Sequence, residues 1–119
     1  MGATSQEACT IYGNLRLPSA NELDQGENVL STTHTHYFST LTDEITATLP
    51  AGAAGQVVVL AMRSHGGGSF KITVTNAIWS GNSLVTFTGT GQACTLQYIT
   101  HSGSTSNWYC IGNNGAAFS

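Results

Sequence analysis

Residues 56–75 read QVVVLAMRSHGGGSFKITVT, and the fold is decided there. The last six residues alternate, with Phe70, Ile72 and Val74 on one side and Lys71, Thr73 and Thr75 on the other. A repeat of two places successive side chains on opposite faces, which is the mark of a β-strand with one buried face. The first eight residues form an apolar run rich in valine. The run is too short for a buried helix and reads as a strand covered on both faces. Between them, SHGGGS is a permissive loop.

The same rhythm extends both ways. Upstream, EITATLP sets Ile45, Ala47 and Leu49 on one side and stops at Pro50, and AGAAG makes a turn. Before that, VLSTTHTHYFST is a long β-branched and aromatic run starting at Val29. Downstream, AIWSGNS turns into LVTFTG, and a GTGQ turn leads to ACTLQYIT, with Cys94, Leu96 and Tyr98 sharing a face. HSGSTSN then joins WYCIG to the closing NNGAAFS. Seven or eight strands separated by glycine-bearing turns at intervals of roughly 8 to 14 residues predict an all-β chain. The expected architecture is a single β-sandwich or jelly-roll-like domain over residues 29–119, with jelly-roll and immunoglobulin-like topologies both open. Residues 1–28 carry Pro18 in LRLPSANELDQGEN, show weak periodicity and read as an extended N-terminal arm or edge segment.

Composition narrows the function. Charged residues are 8% of the 119, and serine and threonine supply about a quarter of the chain. The formal charge is −3, with Arg16, Arg63 and Lys71 as the cations. Nucleic-acid binding by counterion release needs clustered lysine and arginine, and a basic membrane patch needs the same, so neither partner is expected. All six acids (Glu7, Glu22, Asp24, Glu27, Asp43 and Glu44) lie in the first 44 residues. A surface so poor in charge tends to associate, and partner contacts are expected to cover part of it. The opening MGATSQEACT lacks a basic segment and an apolar core, which predicts no secretory leader and synthesis in the cytoplasm.

Candidate chemistry is sparse. His34 and His36 in THTH would lie about 7 Å apart on one strand face, a spacing that suits a metal if symmetry brings further copies to an axis. No third ligand is near in sequence, so the plainer expectation is a pair of surface or interface histidines, with no metal and no cofactor. His65 and His101 fall in polar loops and read as solvated. Asp43 and Glu44 are adjacent, so on a strand they point to opposite faces and make no acid–base pair. GGGS at residues 66–69 has no phosphate-binding lysine. No nucleophile signature is present, and no enzyme activity is expected. Trp79, Tyr98, Trp108 and Tyr109 would suit a sugar-stacking platform, with Trp79 and Tyr109 as its contacts, although four aromatics in so small a domain usually serve core and interface. Glycan binding is therefore an alternative without independent support. Cys9, Cys94 and Cys110 show no metal spacing, and Cys94 and Cys110 are read as buried thiols that adjacent strands would allow to face each other.

Three segments, TATLPAGAAGQVVVLAM, VTFTGTGQACTLQYI and the terminal NWYCIGNNGAAFS, carry a resemblance. In this they resemble a β-domain of structural proteins of tailed phages. The likeness spans residues 40–118, and residues 108–116 are its most specific part. It implies a homotrimeric, β-rich module of the virion exterior, either a capsid decoration (cement) protein or the tip of a fibre or spike. A chain of 119 residues with one compact domain behind an arm suits decoration better than a long fibre. On that reading the partner is the major capsid protein, and Ile11, Tyr12, Leu15, Arg16 and Leu17 of the arm are the expected capsid contacts.

Overall fold

A computed structural model describes residues 29–33, 35–102 and 105–119. The arm, with its five expected contacts from Ile11 to Leu17, lies outside these residues, as does His34. Eight strands follow one another: β1 (His36–Thr40), β2 (Ile45–Leu49), β3 (Val57–His65), β4 (Phe70–Val74), β5 (Leu84–Phe87), β6 (Ala93–Thr100), β7 (Ser106–Asn114) and β8 (Ala117–Phe118). They form two four-stranded sheets, ordered β1-β3-β6-β7 and β2-β4-β5-β8. The described residues are all-β, and their two sheets pack as a β-sandwich. No helix among the described residues is long and apolar enough to cross a membrane.

The first four strands alternate between the sheets, and this sets their direction. A chain that crosses to the other sheet and back returns travelling the same way, so β1 pairs with β3 in parallel and β2 with β4 in parallel. β4–β5 and β6–β7 are antiparallel hairpins, and further crossings from β5 to β6 and from β7 to β8 make the β3–β6 and β5–β8 pairs antiparallel as well. The parallel pairs were not expected, because a period of two says which face a side chain takes and nothing about direction.

The inward sets match the alternation. Ile45, Ala47 and Leu49 face Phe70, Ile72 and Val74 along the β2–β4 register, and all six are buried. Phe38 reaches across from the other sheet to stack on Phe70 at 3.9 Å and to meet Phe87 edge-on at 5.0 Å. Trp108 closes one end, edge-on to Tyr98 at 5.0 Å, and donates from Nε1 to the Pro50 carbonyl at 3.0 Å. Asn76 Nδ2 donates to the Tyr98 hydroxyl at 3.0 Å, so both polar aromatics of this end are satisfied.

Three expectations need correction. The run from Val29 is not one strand: Val29 bridges Thr48 on the β2 edge, Leu30 donates to the Thr48 carbonyl, and only from His36 does the chain join the other sheet. The β3 run is buried on one face only, since Val58, Leu60 and Met62 are covered while Val57, Val59 and Ala61 are half-buried. The SHGGGS loop is also more constrained than its composition suggests. Gly68 donates to the Leu41 carbonyl at 2.7 Å, and a Cβ on Gly66 would lie 2.5 Å from the Thr40 carbonyl oxygen. Those glycines let two loops pack backbone to backbone.

Candidate interaction surface

The two outer faces of the sandwich differ in kind. On the β2-β4-β5-β8 sheet, Thr46, Thr48 and Thr73 are exposed, and Lys71 pairs with Glu44 at 2.9 Å. Ser69 adds a hydrogen bond to the same carboxylate at 3.3 Å. The Lys71 bond and charge hold the Glu44 carboxyl below its ordinary range, opposed by slight desolvation. This is a solvated face.

The outer face of the β1-β3-β6-β7 sheet is built from Val57, Val59 and Ala61 of β3, which alternate with the buried residues because the strand is pleated. The registers place neighbours beside each of them. Ala61 lies between Tyr37 and Ala93, Val59 is followed across the sheet by Thr95 and Gly112, and Val57 by Gln97 and Tyr109. Arg63 is the one charged side chain on these four strands. Tyr109 hydrogen-bonds His101 Nε2 at 2.5 Å, so His101 belongs to this face and is not simply solvated.

The β7 edge of this sheet divides in two. Its first half is covered by the segment after β4: Trp108 donates to the Asn76 carbonyl at 2.9 Å, and Ile78 donates to the Trp108 carbonyl at 3.0 Å. Beyond it, residues 110–114 are all exposed, and no strand among the described residues pairs with their outer edge. A β-bulge falls here. Cys110 is opposite Leu96 and Gly112 opposite Thr95, which leaves Ile111 as the extra residue, 53% exposed. Sequence reading missed this edge, although the isolated apolar Ile111 among Cys110, Gly112 and the asparagines was the available signal.

The candidates named from sequence are dispersed. His36 is no surface histidine: it is 2% exposed, facing the core, with Nε2 bonded to the Ser31 carbonyl oxygen at 2.8 Å. β1 begins at His36, and the register with Leu60 turns its ring inward. No group of three or more metal-ligating side chains gathers among the described residues. The four aromatics do not form one platform, since Tyr98 and Trp108 lie in the core, Trp79 packs edge-on against Phe118 at 4.9 Å, and Tyr109 faces out beside His101. Cys94 and Cys110 are both free thiols, and of the two only Cys94 is buried. Burial, with a smaller contribution from nearby Cys110, pushes the Cys94 thiol up to about 12. Comparison with protein-family models and with curated proteins gives no match for this chain.

Proposed function

We propose that the chain is a non-enzymatic decoration (cement) protein of a tailed-phage capsid, binding the outer shell as a trimer and stabilising it. The observation that carries this reading is the contrast between a threonine-lined, solvated sheet face and a valine-, alanine- and tyrosine-lined face on the opposite side. A chain of 119 residues with 8% charge that keeps such a face gains from covering it with protein. The tailed-phage resemblance of residues 40–118 supplies the setting, with the major capsid protein as partner, the capsid exterior as location and the host cytoplasm as the place of synthesis. Cementing needs no chemistry. Interface area that exists only on the assembled shell stabilises that shell by mass action.

The test is co-sedimentation of purified protein with expanded heads of the phage that encodes it, followed by heating of decorated and bare heads. Saturable binding and a higher rupture temperature support the reading. Protein that stays in the supernatant at every head concentration overturns it, and a glycan array then tests the sugar-binding alternative through loss of signal in Trp79→Ala.

A further inference from the structure

We infer that the Asn114–Gly115 step is a site of self-catalysed deamidation, through which the chain gains an acidic side chain where it has none and loosens β8. This does not depend on the capsid reading above.

Residues 45–119 hold no acidic side chain, and Asn114–Gly115 is the one asparagine–glycine step in the 119 residues. Both residues are exposed, at the turn from β7 to β8. The φ of Gly115 is 84°, a left-handed conformation that other residues disfavour, and a Cβ there would lie 3.0 Å from Gln92 Cγ. The turn therefore calls for glycine, whose amide nitrogen has no side chain to shield it from the residue before. Among the described residues, the Asn114 side chain is held by one hydrogen bond, from Nδ2 to the Gly91 carbonyl at 3.3 Å. Asn113 is the contrast. Its Nδ2 donates to the Ala116 carbonyl at 2.8 Å and its Oδ1 accepts from the Ala116 N–H at 3.0 Å, so its amide is fixed at both ends. Asn114 is also the last residue of β7, and strand ends open locally at low cost.

Water is the only co-reactant. The Gly115 amide nitrogen loses its proton and attacks Asn114 Cγ, forming the N–Cγ bond of a five-membered imide. The Cγ–Nδ2 bond breaks and ammonia leaves with the proton. Water then opens the ring at Cγ to give aspartate, or at the main-chain carbonyl to give isoaspartate.

Either product replaces a donor to the Gly91 carbonyl with an acceptor, so attraction becomes repulsion. Isoaspartate also lengthens the main chain between β7 and β8 by one carbon. Little holds β8 against that: its two residues pair with Val85 and Thr86, and Ser119 exchanges two hydrogen bonds with Leu84 at 2.9 and 3.0 Å.

The test is incubation of the purified full chain, folded and urea-unfolded, at mildly alkaline pH. New acidic species are separated by ion exchange, and the altered residue is located by mass spectrometry of peptides. Folded wild type is expected to form aspartate and isoaspartate at residue 114, at a rate within about tenfold of the unfolded chain, an opening cost below about 1.4 kcal/mol. Asn114→Gln keeps the amide donor but would have to close a larger ring, and is expected to form no acid there. Asn82→Gln, which alters another exposed asparagine, is expected to leave the rate unchanged. A folded chain that converts more slowly than that limit overturns the inference, as does acid that forms first at another asparagine. The purified isoaspartyl form is expected to melt below fresh protein, and an equal Tm overturns the coupling to β8.

Discussion

Replacing Gly66 by alanine probes the loop packing that joins the two sheets. The φ of Gly66 is not positive, so alanine is allowed by the local backbone and only space opposes it. Its Cβ would lie 2.5 Å from the Thr40 carbonyl oxygen and 2.8 Å from the Leu41 Cα, against ordinary contact that begins at 3.4 Å. Both neighbours are backbone and cannot rotate away, so residues 40–41 or 66–68 must shift by nearly an ångström. Such overpacking costs about 1–3 kcal/mol. Weakening the Gly68–Leu41 hydrogen bond adds about 0.5–1.5 kcal/mol. The lower entropy of the unfolded alanine chain returns about 0.4–1 kcal/mol. The net loss is about 2 kcal/mol, which for a domain of this size lowers Tm by about 8–16 °C. Thermal unfolding followed by circular dichroism reads this directly. Gly55→Ala is the comparator, since that position has open space but a φ of 84°. It is strained without a clash and should lose only about 1 kcal/mol. A Tm for Gly66→Ala within about 4 °C of wild type would mean that the loops separate at little cost, and the backbone-packing argument would fail.

Other outcomes follow from single side chains. Trp108→Phe removes a buried donor from the Pro50 carbonyl as well as core volume, and should cost about 2–3 kcal/mol in urea unfolding. Trp79→Phe deletes an indole N–H that is buried without an acceptor among the described residues, so it should cost at least about 1 kcal/mol less; equal losses would contradict the hydrogen-bond assignments. In a Cys9→Ser background, a thiol reagent at neutral pH should label exposed Cys110 quickly and Cys94, whose thiol titrates at about 12, only on unfolding. Rapid labelling of both in the native state would show that β6 is not held in the core as described. Because the folded-state Glu44 value is lowered, the stability it adds is present above its ordinary value of 4.5 and is lost as the pH falls through the lowered value. Glu44→Gln should flatten that acid-side slope slightly, since the pair is exposed, and an unchanged melting profile with pH would remove the Lys71 pair from the argument.

Much of the interior was legible in the sequence. A pleated strand alternates its side chains without reference to anything distant, so the inward positions of Phe70, Ile72 and Val74, of Ile45, Ala47 and Leu49, and of Cys94, Leu96 and Tyr98 followed from pattern alone. The same alternation sets Trp108 inward and its neighbour Tyr109 outward. What pattern cannot hold is which strand lies beside which. The parallel pairs arise from chain crossings between sheets, and the inward turn of His36 from where β1 begins. The close approach of the glycine loop to residues 40–43 depends on two segments distant in sequence. The apolar run of β3 shows the division most clearly. Its composition led to the expectation of cover on both faces, and the sandwich buries one of them. Only the tertiary structure decided that Val57, Val59 and Ala61 take the outer face, because that depends on which side of the β1-β3-β6-β7 sheet packs against the other sheet.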